Sequence, residues 1–269
     1  MPILHLHLFS LLWLDELRMR LNEQGRSLNI FDSPRAYGRN PEYALKNLVE
    51  KNPQTDWILF NSTQLMQQWF QLHGQTAVIA GSRFAGIHLP AVDIDSRATG
   101  VHAGHTLLGL GHSRIVFLRP IAATAGDLAV EAGLKEILGK ADYTSVHFSV
   151  VTSGEGTTEI CRTITKALAK SDCSTVVICA RSTFVATVFS HLLQLGRRVP
   201  NDISLLSIEW EPFLDLVVPH ISHYKVSPVE FAKQISNCIS RSAAKQKNPI
   251  FLTQEYIKGG SLKALRPLN

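Results

Sequence analysis

The sequence of 269 residues has no apolar stretch as long as the ~18 to 20 uncharged residues of a transmembrane helix. The apolar segment Ile3–Leu14 is interrupted by His5, His7 and Ser10, follows no basic run and precedes no small-residue cleavage site. These features favour a core strand that leads into a helix over a secretion signal. We therefore expect a cytoplasmic protein without a membrane partner.

Cysteine and charge are both scarce in this chain. The four cysteines, none of them in a CxxC motif, are Cys161, Cys173, Cys179 and Cys238. Their scattered spacing favours reduced, buried thiols. Charged residues make up 18% of the chain, and although the net charge is +5, Lys and Arg form no dense run. The charge pattern therefore favours general solubility over direct binding of nucleic acid.

Motifs of catalysis and of metal binding are missing as well. His102 and His105 lie three residues apart on a predicted helix, but no carboxylate completes the spacing of a zinc-protease helix. Ser10, Ser153 and Ser182 are not part of a GxSxG motif, and the SGEG segment that starts at Ser153 is too short for a phosphate loop. We predict a protein that is not an enzyme and that binds no metal or cofactor.

Short apolar, β-branched runs alternate with stretches of helical spacing. The predicted strands are Ile3–Phe9, Leu28–Phe31, Trp57–Phe60, Ala77–Ala80, Ile115–Leu118, Val146–Val151, Thr175–Ala180 and Ile203–Ile208. The helical stripes between them are Leu14/Leu17/Leu21, Ala44/Leu45/Leu48, Leu65/Trp69/Leu72, Leu134/Ile137/Leu138, Ile160/Ile164/Leu168 and Val185/Val188/Leu192/Leu195. This alternation predicts an α/β protein of the doubly wound class, with parallel sheets covered by helices on both faces.

One of these helices carries both of its end signals. Asp95 or Ser96 can serve as the N-cap, because a short side-chain oxygen accepts from the unpaired amides of the first turn. Gly111 is expected to end the helix in the left-handed conformation. His112 and Arg114 follow it and suit the negative end of the helix dipole.

The helix, glycine and strand of this segment recur later in the chain. LLGLGHSRIVFL at Leu107–Leu118 is echoed by LLQLGRRVPNDISLLSI at Leu192–Ile208. Two similar units in separate halves predict two similar subdomains rather than one large sheet. A ligand would then lie between them, at the carboxyl ends of the strands.

Four blocks of sequence resemble, in order, the effector-binding core of the LacI/GalR transcription regulators. They are VDIDSRATG with LGLGHSRIVFL (Val92–Leu118), LGRRVPNDISLLSI (Leu195–Ile208), PHISHYKVSP (Pro219–Pro228) and YIKGGS (Tyr256–Ser261). The resemblance implies the fold of the type I periplasmic binding proteins, with two subdomains joined by three crossovers. It also implies a homodimer and a small-molecule effector, such as a sugar, in the cleft between the subdomains.

The resemblance implies boundaries for these subdomains. The N-terminal subdomain would comprise residues 1–119 and 222–247, and the C-terminal subdomain residues 120–221 and 248–269. Regulators of this family begin with a helix-turn-helix domain that reads the major groove, whereas here the first predicted core strand starts at Ile3. We expect DNA contact only through such a domain, missing here, encoded upstream in the natural reading frame. The alternative is a protein that lacks a DNA-reading domain.

Two candidate ligand-binding residues match positions of the family. Trp13 corresponds to an aromatic position that stacks on ligand rings in relatives, although a tryptophan at helical spacing is as often a core residue. Asp95 corresponds to an acidic residue that faces the cleft. Its role as a helix cap is an equally good interpretation, and one residue can serve both.

The remaining candidates are places where the sequence departs from the family. Val130 stands where many relatives place an arginine that clamps ligand oxygens, three residues before the glycine that is Gly133 here. Arg181 starts the segment that in relatives is an Asn-Asp pair, and Glu209, followed by Trp210, replaces an aspartate. We hypothesise that Arg181 takes over the cationic role, with Glu209 and Trp210 opposite it. The alternative is an internal Arg181–Glu209 salt bridge in an unliganded or degenerate pocket.

The resemblance thus implies an effector-sensing and dimerisation domain of a LacI-type bacterial regulator. Binding of the effector would shift the population of subdomain arrangements and so change DNA binding. One alternative is a solute-binding protein for uptake, which would share the fold. Another is an α/β enzyme whose site shows no recognisable motif.

Overall fold

A computed structural model describes residues 8–140, 146–169, 175–240 and 248–265. In chain order its elements are α1 (Leu8–Glu23), α2 (Glu42–Lys51), β1 (Trp57–Phe60), α3 (Gln64–Leu72), β2 (Ala77–Ala80), β3 (Ala91–Ile94), α4 (Ser96–Gly109), β4 (Arg114–Pro120), α5 (Ala125–Leu138), β5 (His147–Ser153), α6 (Thr157–Leu168), β6 (Thr175–Cys179), α7 (Ser182–Gln194), β7 (Ile203–Ser207), β8 (Ser222–Lys225), α8 (Pro228–Ser240), β9 (Ile250–Leu252) and β10 (Glu255–Ile257). Short 3₁₀ helices lie at Pro34–Tyr37 and Pro212–Asp215.

The chain divides into two compact units. Unit 1 comprises Met1–Ile94 and Val226–Leu252, and unit 2 comprises Asp95–Lys225 and Thr253–Asn269. The chain therefore passes from one unit to the other three times, as the resemblance implied. The first division falls at Ile94, whereas the predicted boundary followed residue 119; the later two lie close to the predicted ones.

Unit 1 is built on a parallel sheet of four strands, in the order β1-β2-β3-β9. Strand β2 is buried along its whole length because its side chains alternate between two cores. Val78 and Ala80 pack with residues of α1 and α8, whereas Ala77 and Ile79 pack with residues of α2 and α3. Both faces are thus covered by helices, which confirms the doubly wound class for this unit.

Unit 2 is built on a six-stranded sheet in the order β10-β8-β7-β6-β4-β5. All pairs are parallel except β10 with β8. The central strand β4 alternates in the same way: Val116 and Leu118 face the core under α6 and α7, and Ile115 and Phe117 face the core under α4 and α5. The predicted α/β fold of parallel-dominated sheets is confirmed in both units.

Several predicted elements need correction. Leu8 and Phe9, the end of the first predicted strand, are helical, while residues 3–7 of that strand and Cys173 lie outside the described residues. Leu28–Phe31 is not a strand, and Phe31 instead packs its ring against Trp57. An apolar β-branched run with no strand partner is therefore not enough to make a strand.

The predicted stripe of α3 is correct only at Trp69, which is buried. Leu65 and Leu72 are 45% and 80% exposed, and the core face is formed by Met66, Trp69 and Phe70. Both stripes have helical spacing, so periodicity alone could not separate them. The larger aromatic surface of the second stripe explains why it is the one buried.

The predicted ends of α4 are confirmed, but the side chain of His112 does not have the predicted role. Asp95 is the N-cap, and its Oδ1 accepts from the Ala98 amide at 2.9 Å. Gly111 has a φ of +88° just after the helix. The His112 amide then donates to the Leu107 carbonyl at 3.0 Å, which closes the helix end. The His112 side chain does not serve the helix dipole as a cation, because burial lowers its pKa to about 4 and leaves it neutral at pH 7.

The second glycine-ended helix matches the first, and the chain does form two sheets, but the two copies do not come from separate subdomains. Gly196 has a φ of +67°, and the Arg197 amide donates to the Leu192 carbonyl at 2.9 Å. This repeats the geometry at Gly111. Both copies, however, lie in unit 2, where β4 and β7 flank β6 in one sheet. The repeat therefore reflects two α/β turns of one subdomain rather than one from each.

Helices α4 and α5 cross very closely in unit 2. A Cβ atom on Gly133 would lie 2.2 Å from the Arg97 carbonyl oxygen, and one on Gly100 would lie 2.2 Å from the Val130 carbonyl oxygen. Only glycine fits at both points. This crossing ties α4 to unit 2 and explains why the first division falls before α4.

Candidate ligand-binding site at the strand ends of unit 2

The carboxyl ends of β4, β5, β6 and β7 meet at one edge of the unit 2 sheet, because all four strands run in the same direction. The segments that leave these strands carry three of the six predicted site residues. Arg181 follows β6, and Glu209 and Trp210 follow β7. This edge is where open parallel sheets place their ligand-binding groups.

Arg181 forms the centre of a charged cluster at this edge. Its Nη1 and Nη2 donate to Asp127 Oδ1 and Oδ2 at 2.6 and 2.7 Å. Nη1 also donates to Glu209 Oε1 at 3.1 Å. The salt-bridge alternative correctly predicted the contact between Arg181 and Glu209. It did not include Asp127. We call these three residues the charged triad.

Asp127 is held in place by the first turn of α5. Its Oδ2 accepts from the Thr124 amide at 2.7 Å, and the Thr124 hydroxyl accepts from the Asp127 amide at 3.2 Å. This reciprocal pair is a capping box, which the TAGD sequence at 124–127 could have signalled. The box fixes the rotamer of a carboxylate that is only 3% exposed.

The triad keeps Arg181 charged despite its burial. Burial by itself lowers the pKa of the guanidinium, but the charges of Glu209 and Asp127, the hydrogen bonds that Arg181 donates to Asp127 and the charge of Glu155 together raise the pKa above its ordinary value. A buried cation and a buried carboxylate thus stabilise one another. The cluster is an ion pair with an additional carboxylate beside it.

Glu209 also caps the helix that follows Arg181. Its Oε2 accepts from the backbone amide of Ser182, the first residue of α7, at 3.3 Å. A carboxylate at this position suits the positive end of the helix dipole. The backbone of Glu209 is fixed as well, because the Ser207 hydroxyl donates to its carbonyl at 2.6 Å.

Trp210 follows Glu209 of the triad in the sequence. Its indole contacts one cationic and one anionic side chain. The Lys225 ammonium lies 3.9 Å from the ring centroid. The indole Nε1 donates to Asp215 Oδ2 at 2.9 Å. These two contacts hold the ring at the strand ends, as an aromatic surface with a cation on its face.

Two buried hydroxyl groups accompany these residues. Ser153 ends β5 and is 2% exposed, and Ser182 begins α7 and is fully buried. Neither hydroxyl has a hydrogen-bond partner within the part of the chain that the structure describes.

Val130 and Trp13 are both core residues. Val130 is 3% exposed and packs in the core under α4 and α5, so its side chain offers no polar group to a ligand. Trp13 lies in unit 1, is fully buried and packs edge-on against Phe60 and tilted against Phe231. The core alternative accounts for its position, and stacking on a ligand stays a prediction.

Trp13 also lines a cavity of about 390 Å³ in unit 1. The other lining residues include Phe31, Tyr37, Trp57 and Asn61. The cavity is also lined by the ion pair Arg26–Asp56, whose side chains are 37% and 35% exposed. The Arg181–Asp127 pair is far more buried, at 17% and 3%, so we place the candidate site in unit 2. The cap made by Asp95 accounts for that residue, and a second role toward a ligand stays a prediction.

His102 and His105 both lie on helix α4, as predicted. His102 Nδ1 lies 2.8 Å from the Tyr224 hydroxyl, and His105 is exposed. Across residues 8–140, 146–169, 175–240 and 248–265, no three His, Cys, Asp or Glu side chains are grouped for a metal ion. In the same residues, none of the helices combines the length and apolar character needed to span a membrane.

Comparison with known proteins gives a family match over more than half of the chain. The model of the periplasmic binding protein-like domain family matches residues 105–262, which includes all of the charged triad. A search of curated protein sequences found no match.

Solved structures share the fold at low sequence identity. A transcription regulator-like protein from Staphylococcus haemolyticus has 15% identity and a TM-score of 0.80, with 96% of this chain and 92% of that chain covered. A ribose-bound LacI family regulator from Enterococcus faecium has 16% identity and a TM-score of 0.78, with 96% and 95% covered. A PurR family regulator from Vibrio parahaemolyticus has 14% identity and a TM-score of 0.80, with 96% and 95% covered.

Proposed function

Because the chain belongs to the periplasmic binding protein-like domain family, we propose that it is the effector-sensing domain of a LacI-type bacterial transcription regulator. Its ligand would be a small polar molecule, such as a sugar or a related metabolite. The structural neighbours with the same fold are regulators, and one of them holds ribose. These likenesses support the proposal.

The observation that carries the proposal is the charged triad at the strand ends of unit 2. Asp127, Arg181 and Glu209 come from three different segments and converge on one point. Buried ion pairs add little net stability compared with apolar packing, so folding alone gives a weak reason for this arrangement. Convergent polar groups at the carboxyl edge of a parallel sheet are typical of ligand sites.

The regulatory mechanism would be a shift between conformations. An effector that binds one arrangement of the domain better than another changes their populations by its difference in affinity. In a cytoplasmic homodimer this change would reach DNA through a helix-turn-helix domain of the same regulator. The proposal assigns no catalytic step to this chain.

Calorimetric titration and thermal unfolding with pentoses, hexoses, sugar acids and nucleobases test the ligand-binding part. A compound at about 100 times its dissociation constant should stabilise the domain by about 2.7 kcal/mol. Arg181→Ala should weaken binding of that compound at least about tenfold, since the triad loses its centre. Arg198→Ala removes an exposed pair with Asp202 in the same unit and serves as the control.

Two results would count against the ligand-binding part: no response to any compound, or equal affinity of Arg181→Ala and the unsubstituted protein. The regulatory part is tested by gel shift with the full product of the natural reading frame. Ligand-dependent DNA binding supports a regulator. Ligand binding by a protein that binds no DNA would favour the solute-binding alternative.

A further inference from the structure

The cavity of unit 1 lies beside β1, the strand at one end of the sheet order. All four residues of β1, Trp57–Phe60, line it. So do side chains from the core under α1 and α8, among them Leu21, and side chains from the core under α2 and α3, among them Phe70. Because the cavity reaches the cores on both faces of the sheet, it lies at the level of the sheet itself. It thus occupies the position of a further strand next to β1.

The backbone of β1 directs hydrogen-bonding groups toward this cavity. The Trp57 amide donates to a carbonyl just before β2 at 2.9 Å, and successive residues of a strand direct their backbone groups to alternate edges. The amides and carbonyls of Ile58 and Phe60 therefore point away from β2. In the described part of the chain, no backbone hydrogen bond joins either residue to residues 26–33. The Phe60 carbonyl accepts only a long contact from the Tyr37 hydroxyl, at 3.4 Å, so this edge is open to pairing with another strand.

The run Leu28–Phe31 lines the cavity as well. Its sequence predicted a strand, but none of its amides donates a backbone hydrogen bond among the described residues. Contacts between side chains hold it near β1, namely the ion pair Arg26–Asp56 and the ring contact of Phe31 with Trp57. Phe31 is still 42% exposed. A strand placed between this run and β1 would pair the backbone of both.

The layers in which the helices pack give the direction of each connection. Helix α3 connects β1 to the neighbouring β2, and α2, which lies between the run Leu28–Phe31 and β1 in the sequence, packs in the same core. Connections between parallel strands are right-handed, so helices in one layer carry the chain across the sheet in one direction. The run Leu28–Phe31 therefore belongs on the side of β1 that faces away from β2.

Helix α1 packs in the opposite layer, together with α8. A connection through α1 therefore carries the chain in the opposite direction, from a strand that precedes α1 to the run Leu28–Phe31. Such a strand belongs on the β1 side of the run. Because β1 and β2 pair directly, the position next to the run on that side is the cavity. The handedness of the connections and the position of the cavity thus point to the same place.

The sequence just before α1 is a poor match for this position. A strand there would be covered on both faces, and such strands are apolar throughout. The sequence before Leu8 contains Pro2, His5 and His7. Proline is confined to edge strands and strand ends, and a connection from a strand to its helix takes about two to six residues. A matching strand therefore has to come from upstream of Met1.

We propose that a core strand of unit 1 is encoded upstream of Met1 in the natural reading frame and fills the cavity between β1 and the run Leu28–Phe31. The strand is apolar on both faces and runs parallel to β1. Hydrogen bonds to the backbone of Ile58 and Phe60 hold it in place. With this strand and the run, the four-stranded sheet of unit 1 becomes six-stranded. The inference concerns unit 1 and does not rest on the ligand site proposed in unit 2.

Amide hydrogen exchange measured by NMR tests the proposal on two proteins. One is the chain of 269 residues, and the other is the same chain extended by about twenty upstream codons, enough for a strand and its connection. In the unextended chain, the amides of Ile58 and Phe60 should exchange at least about 100-fold faster than those of Trp57 and Leu59, which face β2. In the extended chain this ratio should fall to within about tenfold, and the thermal midpoint should rise by at least about 5 °C. A Gly-Ser extension of the same length is the matched control and should leave the ratio unchanged.

Several results would overturn the proposal. One is an in-frame stop codon directly upstream of Met1. Another is an extended chain in which Ile58 and Phe60 still exchange at least about 100-fold faster than Trp57 and Leu59, a result that can be read even if the unextended chain does not fold. Equal protection by the Gly-Ser extension contradicts the proposal too. So does protection of Ile58 and Phe60 without any extension, and its dependence on protein concentration would then assign the cavity to a second copy of the chain.

Discussion

Lowering the pH from about 7 to about 5 should destabilise unit 2 through one side chain, His112. The imidazole is 2% exposed, and neither ring nitrogen has a hydrogen-bond partner of ordinary geometry among the described residues. Burial lowers its pKa from 6.5 to about 4, and a weaker contact with the backbone of Lys263 acts in the opposite direction. The folded protein therefore holds His112 neutral at a pH where the unfolded chain would protonate it.

The sign of the effect follows from the direction of this pKa change. Between pH 6.5 and about 4 the unfolded state binds the extra proton, so stability is complete above 6.5 and is lost as the pH falls. At ~1.36 kcal/mol for each pH unit of difference in pKa, the complete loss is about 3 kcal/mol. About 2 kcal/mol of it should occur between pH 7 and pH 5.

Urea unfolding of the unsubstituted protein and of His112→Phe at these two pH values measures this loss. The phenyl ring removes the titration, and the effect of its larger volume is the same at both pH values. The variant should therefore lose about 2 kcal/mol less on acidification. The difference between the two proteins cancels the carboxylates that both contain. His105→Phe, at an exposed position on α4, should behave like the unsubstituted protein. Equal acid sensitivity of His112→Phe and the unsubstituted protein would refute the reasoning.

Two further substitutions test close packing and buried hydrogen bonds, each by its change in thermal unfolding. Gly133→Ala places a Cβ 2.2 Å from the Arg97 carbonyl oxygen and should cost at least about 3 kcal/mol. Gly109→Ala meets no atom within 4 Å and should be near neutral. Ser261→Ala removes a buried hydroxyl that bonds the Ser222 amide and the Leu205 carbonyl at 2.8 and 2.6 Å, a loss of about 1 to 3 kcal/mol.

Sequence reasoning predicted the fold class because its signals are local. Strands such as Ala77–Ala80 are continuous apolar runs, and runs buried on both faces are typical of parallel sheets. The prediction failed where two stripes of helical spacing competed, as in α3. It also failed where a strand forms through pairing with neighbouring strands rather than through an apolar run. Strand β8 (Ser222–Lys225) is such a case, because its polar residues pair with β7 and β10 rather than form an apolar run.

The site was only partly predictable for a related reason. The resemblance identified Arg181, Glu209 and Trp210 as departures from a family pattern, and the structure places all three at one edge. It could not reveal Asp127, which lies 54 positions from Arg181 in the sequence. A capping box predicts a helix start, but the partner of its carboxylate is set by the sheet order that brings β4 beside β6.

Asp127 affects the roles that Arg181 and Glu209 can have. A carboxylate that is 3% exposed requires a cation, so Asp127 gives Arg181 a role in the folded domain in addition to the role proposed for it in the site. Val130, buried in the core, supplies no replacement charge. Asp127 and Glu209 therefore hold the Arg181 guanidinium together, through contacts at 2.6, 2.7 and 3.1 Å. Arg181→Ala should lower stability even without a ligand, because it leaves the buried Asp127 carboxylate without its cation. Thermal unfolding of the ligand-free variant measures this loss, and an unchanged midpoint would contradict it.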